Sequence, residues 1–120
     1  LVSFGKILKE AIKAAEILAK ENIECEIIDL RTIRPLDYHT IFESVKKTNR
    51  LVILEESWPF GNISTDITYQ VQSKIFDYLD APIEKINTAD TPAPYSPVLL
   101  KEWLPNSSDV VKSIKKVLYK

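Results

Sequence analysis

The sequence predicts an α/β protein of three layers, with helices on both faces of a mostly parallel sheet, and three observations predict it. Apolar residues at three- and four-residue spacing alternate along the chain with short β-branched runs, in the order strand, helix, strand, helix, strand, helix, strand, helix. One run, Leu51-Val52-Ile53-Leu54, is apolar without interruption, the pattern of a parallel strand covered on both faces. The length of 120 residues suits one domain with a single core and is too short for two.

Each element has its own signal. Leu1-Val2-Ser3 reads as a strand already in progress, so the sheet is expected to lack its first strand or strands and the chain to be a fragment of a longer polypeptide. Residues 6–21 place Ile7, Leu8, Ala11, Ile12, Ala15, Leu18 and Ala19 at helical spacing, with Lys and Glu between them, and Asn22 is a stop. Residues 23–33 carry enough β-branched and apolar side chains for a strand whose centre, Ile27-Ile28, is expected to be buried on both faces. Pro35 ends the extended segment, and Asp37 caps a helix over residues 38–47 with Ile41, Phe42 and Val45 inward.

Residues 50–55 form the central strand and stop at Glu55 and Glu56. Residues 57–62 carry the Pro, Gly and Asn of a turn. Asn62 or Ser64 then caps a helix reaching about Leu79, with Ile67, Val71, Ile75 and Phe76 inward. Asp80-Ala81-Pro82 breaks it, residues 83–86 are a short strand, and residues 90–105 are a long proline-punctuated loop. Loops of that length in compact domains are usually functional or pressed against something. Ser107-Ser108-Asp109 caps a last helix with Val110, Val111, Ile114, Val117 and Leu118 on its apolar side.

Composition excludes several function classes. A net charge of -1 gives no electrostatic case for nucleic acid or an anionic membrane, and no apolar run approaches the ~20 residues that span a bilayer. The single cysteine, Cys25, stands between Glu24 and Glu26, which oppose a thiolate, and is expected to be only a strand residue. Two isolated glycines, Gly5 and Gly61, cannot make a phosphate-cradling loop. No metal-ligand spacing and no Gly-x-Ser-x-Gly motif are present. Neither a catalytic, a cofactor-binding nor a metal residue is assigned to the domain on its own.

Four groups of residues are candidates for something more. Glu55 and Glu56 lie where a parallel strand ends, the edge that faces ligands in open α/β sheets. Adjacent strand residues point to opposite faces, however, which favours a structural or interface role over a carboxylate pair acting together. His39, the only histidine, is expected to face solvent. Arg31 and Arg34 flank a strand end beside Asp29 and Asp37, and either order that turn by local pairing or reach across a subunit boundary. Trp58, Phe60, Tyr95 and Trp103 all fall in or beside loops and read as interface candidates.

Several blocks carry a resemblance in a fixed order. They are CEIIDLRTIRPLD at 25–37, SVKKTNRLVILEE at 44–56, Trp58-Pro59, YLDAPIE at 78–84, ADTPAPY at 89–95 and VVKSIKKVLY at 110–119. Together they resemble the C-terminal, transketolase-type domain of the beta subunits of thiamine-diphosphate-dependent 2-oxo acid dehydrogenases. TPAPY at 91–95 is most similar to the loop of the pyruvate-specific members; the branched-chain members are the alternative within the family, and a freestanding α/β interaction or ligand-sensing module is the alternative outside it. The resemblance implies an intact alpha2beta2 enzyme in the mitochondrial matrix or bacterial cytoplasm. Thiamine diphosphate and magnesium would be held by other domains, and this fragment alone would be inactive. It further implies that the domain joins the alpha subunit and a second beta subunit, and docks the peripheral subunit-binding domain of the lipoyl-bearing acyltransferase, a dihydrolipoyl acetyltransferase in the pyruvate branch. The docking positions map onto Asp80 and Lys120, and Arg31, Arg34, Trp58, Phe60 and Tyr95 are candidates for subunit contacts.

Overall fold

A computed structural model describes residues 1–120. Four parallel strands, β1 (Val2–Ser3), β2 (Ile28–Asp29), β3 (Val52–Leu54) and β4 (Glu84–Ile86), form one sheet in the order β2-β1-β3-β4. Helices α1 (Leu8–Ala19) and α5 (Ser107–Val117) cover one face, and α2 (Tyr38–Thr48) and α3 (Ile63–Ile75) cover the other. The expected α/β/α architecture is therefore the observed one. None of the helices is long and apolar enough to cross a membrane.

The period-two alternation of β3 divides the core. Val52 and Leu54 pack with Ala11, Leu18, Val110 and Ile114 on the α1/α5 side. Leu51 and Ile53 pack with Ile41, Val45, Ile67 and Val71 on the α2/α3 side. Ser3 is the buried polar residue of the centre, and its hydroxyl donates to the Leu54 carbonyl at 2.9 Å, which satisfies it without a charge.

Helix ends follow sequence signals closely. Asp37 caps α2 by accepting from the Thr40 N–H at 3.1 Å, and Asn62 caps α3 by accepting from the Thr65 N–H at 2.9 Å. Asn22 and Asn49 follow α1 and α2 with φ of 60° and 59°, left-handed conformations that asparagine tolerates. The last helix starts one residue earlier than expected. Asn106 is its cap and forms a reciprocal capping box with Asp109.

Five expectations are corrected. The strand over residues 23–33 shrinks to Ile28–Asp29, and Ile27 and Ile28 are half-buried, because β2 lies at the sheet edge with β1 as its only neighbour. The central strand over 50–55 is hydrogen-bonded as strand only at Val52–Leu54. In α1 the buried positions are Ala11, Ala14 and Leu18, whereas Ile12 is exposed, so the inward stripe is rotated toward Ala14. Helix α3 stops at Ile75 and tightens into a 3-10 turn, Phe76–Tyr78, which turns Phe76 out to solvent. The loop over 90–105 contains a further short helix, α4 (Pro97–Trp103), with Pro97 in its first turn.

Candidate functional site

Because all four strands are parallel, their ends define two opposite edges, and the candidate residues divide between them. Arg31, Arg34, Glu55, Trp58, Phe60 and Tyr95 follow the C-terminal ends of strands, whereas Asp80 precedes β4 and the chain's last residues return to that same N-terminal edge.

At the C-terminal edge Glu55 is 4% exposed and its two oxygens accept from the N–H groups of Ser64 at 2.8 Å and Ile63 at 3.3 Å. Those are the first N–H groups of α3, which have no partner within the helix, and the helix dipole favours a negative charge there. Glu56 is exposed, so the two adjacent carboxylates lie in different surroundings. The turn after Glu55 is pinned by Lys85, whose ammonium donates to Thr65 Oγ1 at 2.5 Å and to the Pro59 carbonyl at 3.2 Å. Gly61 takes φ of 65° in this turn, a conformation open to glycine at little cost.

Two tryptophans buckle this turn to the chain after β4. The indole N–H groups of Trp58 and Trp103 donate to one acceptor, the Thr91 carbonyl, at 2.8 and 2.9 Å. The Ala89 N–H adds a bond to the Trp103 carbonyl at 3.1 Å. The result holds Trp58, Phe60, Tyr95, Val98 and Leu99 exposed on ordered backbone, a set of large apolar side chains at one end of the molecule.

The arginines at that edge behave differently from each other. Arg31 pairs with Asp29 at 2.8 Å while remaining largely exposed. Asp37 is committed to capping Thr40, through both its N–H and, at 2.6 Å, its hydroxyl. Thr40 accordingly holds the Asp37 carboxyl below the usual range. Arg34 forms no ion pair and is exposed. His39 is exposed, as expected. Burial is the main cause that pushes the Cys25 thiol up, and the Glu24 carboxylate adds to it, so this cysteine resists forming a thiolate.

At the N-terminal edge the LDAP turn is held from both sides. The Asp80 N–H donates to the Asn49 carbonyl at 2.9 Å, and the Asp80 carbonyl accepts from the Tyr119 phenol at 3.2 Å. Asn49 Nδ2 donates to the Tyr78 carbonyl at 2.9 Å. Beside the turn is a groove of about 390 Å³ lined by Phe76, Leu79, Pro82, Ile83 and Tyr119. Lys120 lies next to it and is exposed, but the chain-end residue that touches the turn is Tyr119.

Sequence reasoning missed three contributors: Arg50 beside Asp80, Tyr119 under it, and the Thr91 carbonyl between the tryptophans. The first two are remote in sequence from Asp80 and carry no local signal, and the third is a backbone group. The residues present do not fit a metal site held by the protein alone. No three His, Cys, Asp or Glu side chains are grouped to hold a metal, and Glu55 is spent on α3.

Comparison with known proteins agrees with this geometry. The family model described as transketolase, C-terminal domain, matches residues 1–110. The chain is 52% identical over 119 residues to the pyruvate dehydrogenase E1 component subunit beta of Rickettsia felis, covering 99% of this chain and 36% of that protein. It is 52% identical over 120 residues to the subunit of the same name from Rhizobium meliloti, covering all of this chain and 26% of that one. Against the mitochondrial subunit beta-1 of Oryza sativa subsp. japonica it is 46% identical, covering all of this chain and 32% of that protein. The chain thus spans about a third of the length of the curated relatives it matches. Among solved structures, a split gene transketolase described as an inactive beta4 tetramer superposes with a TM-score of 0.85 at 24% identity, covering 98% of this chain and 38% of that one, a likeness of fold.

Proposed function

Because the chain belongs to the transketolase C-terminal domain family, we propose that it is the C-terminal domain of the beta subunit of a pyruvate dehydrogenase. That enzyme decarboxylates pyruvate oxidatively and passes the acetyl group to a lipoyl-bearing acyltransferase. The observation that carries this reading is identity near one half to subunits of that name, from both bacteria and mitochondria, sustained over essentially every residue. The mitochondrial name of one relative and the bacterial sources of the others support a setting in the mitochondrial matrix or the bacterial cytoplasm.

Within the enzyme this domain serves assembly and docking rather than chemistry. The exposed apolar set around Trp58, Phe60 and Tyr95 suits burial against the alpha subunit or the second beta subunit of an alpha2beta2 tetramer, and Arg34 beside β2 supplies an unpaired cation for such a boundary. The outer edge of β2 has no strand on it, while Ile28 and Leu30 spend their N–H groups on β1. An additional strand from the rest of the subunit would complete the sheet there. Thiamine diphosphate and magnesium belong to other parts of the intact enzyme, where they supply the carbanion chemistry of decarboxylation.

Docking of the acyltransferase's peripheral subunit-binding domain is assigned to the opposite edge, at Asp80 with the chain end near Lys120. An exposed carboxylate on a fixed turn suits a basic partner and gives salt-sensitive, reversible association. Two experiments test the reading. Affinity capture of the full-length gene product from its source, read by mass spectrometry, should recover an alpha subunit and a dihydrolipoyl acetyltransferase; a branched-chain acyltransferase instead would redirect the substrate. Asp80→Lys in the intact enzyme should weaken binding to the acyltransferase more than tenfold, with the loss falling on the coupled reaction far more than on decarboxylation read with an artificial electron acceptor. Equal loss of both would sink the docking role.

A further inference from the structure

The backbone of Asp80 is fixed at its N–H by Asn49 and at its carbonyl by Tyr119, so the carboxylate is the one part of the residue left to meet a partner. Its side chain is 60% exposed and has a single cation near it, Arg50, with Nη1 at 3.7 Å from Asp80 Oδ2. That separation is too long for a hydrogen bond, so the pair is held by charge alone rather than by a closed fork. Arg50 is itself restrained. Its Nε donates to the Val117 carbonyl at 2.8 Å, its side chain is only 31% exposed, and its stem lines the apolar cleft between Ile23, Val52 and Leu118.

We infer that Arg50 is an internal competitor for the Asp80 carboxylate, so that a basic docking partner meets a charge that already faces a cation and binds more weakly and more reversibly than the bare carboxylate would allow. This inference rests on the assignment of Asp80 as a docking residue. Three features carry it. Arg50 is held beside Asp80 by the bond from its Nε to the Val117 carbonyl, which it must break to swing away. It does not quench the carboxylate fully either, because its guanidinium stays beyond hydrogen-bond distance. A partner cation arriving at Asp80 is therefore placed within a few ångströms of a like charge that stays in position, and the repulsion acts on both approach and residence.

The test is a calorimetric titration of the intact alpha–beta enzyme with the isolated peripheral subunit-binding domain of its own acyltransferase, at low and high salt. Arg50→Gln should tighten binding about two- to fivefold at low salt, the scale of one exposed ion pair, and the gain should shrink as salt rises. On an Asp80→Asn background the same substitution should gain clearly less, since no carboxylate remains to compete for and only the repulsion between Arg50 and the partner cation is relieved; an equal gain on both backgrounds overturns the competition. Arg50→Met, which keeps the apolar stem in its cleft, guards against a folding defect in the glutamine variant, and thermal unfolding of each variant is read alongside. Unchanged or weaker binding by a folded Arg50 variant, with Asp80→Lys still impairing docking, overturns the inference and leaves the docking surface standing. If Asp80→Lys also leaves binding intact, the docking assignment falls and the inference falls with it.

Discussion

Glu55 illustrates how a single side chain changes meaning once its surroundings are known. A carboxylate at the C-terminal end of a parallel strand occupies the position where α/β enzymes often place chemistry. Here it turns back instead and takes up two N–H groups of α3, so its charge stabilises a helix start rather than a substrate. Hydrogen bonds to a charged group contribute more than neutral ones, and a buried donor left without a partner is costly. Glu55→Ala should therefore destabilise the protein by about 2–3 kcal/mol, measured by urea unfolding. Glu55→Gln should lose about half of that, because one oxygen remains to accept. A variant with unchanged stability would return Glu55 to the list of residues available for chemistry.

At the scale of elements, what was legible depended on whether the signal is local. The four long helices were legible because three- and four-residue spacing and the caps Asp37 and Asn62 lie within one turn of the residues they organise. Strand extents were not, because a strand is defined by its neighbour. Residues 23–33 are rich in β-branched side chains, yet β1 provides only a two-residue partner, at Ile28 and Asp29. Helix α4 hid among prolines and is anchored by bonds that the Trp103 indole donates to the Thr91 carbonyl and the Ala89 N–H donates to the Trp103 carbonyl, which leave no periodic signal in the sequence. The same limit applied to the N-terminal edge. Asp80 itself was identified through family resemblance, whereas Arg50 and Tyr119 enter only once the chain is folded.

Helix pairing also sets a pH dependence. Glu10, on α1, accepts from Lys13 at 2.9 Å and from the N–H of Ser107, the first residue of α5, at 3.2 Å. Lys13 first, then Ser107 and Lys9, hold the Glu10 carboxyl below its ordinary value of 4.5, against the opposing effect of burial. A carboxyl lowered in the folded state contributes stability that is present above its unfolded pKa and is lost as pH falls through the folded one. Unfolding by urea should accordingly show stability falling below about pH 4.5. In Glu10→Gln the neutral-pH stability should be lower and the acid decline shallower, with the two proteins converging once the folded-state carboxyl is protonated. Parallel acid limbs would mean that the clasp between α1 and α5 does not depend on this charge.

For the whole molecule, the contacts at the two sheet edges bear on the proposal that this domain serves assembly rather than chemistry. Part of the C-terminal edge, where a freestanding enzyme of this architecture would hold its ligand, is taken up instead by Glu55 on α3, Lys85 on the 57–62 turn, and the two indoles on Thr91. Its outward surface is apolar and aromatic, suited to another protein rather than to a diphosphate. Gly5 and Gly61 are far apart in sequence and form no phosphate loop, and no three His, Cys, Asp or Glu side chains are grouped to hold a metal ion. The isolated 120-residue protein should therefore give no saturable heat when titrated with thiamine diphosphate and magnesium, and should not decarboxylate pyruvate. Circular dichroism and a cooperative unfolding transition, recorded on the same sample, establish that the domain is folded when it is tested. The full-length beta subunit combined with its alpha subunit, under identical conditions, should bind the cofactor and turn over. Tight, stoichiometric cofactor binding by the isolated domain would mean that the C-terminal edge is a ligand site after all, and would move Glu55 and the turn that follows it from assembly to chemistry.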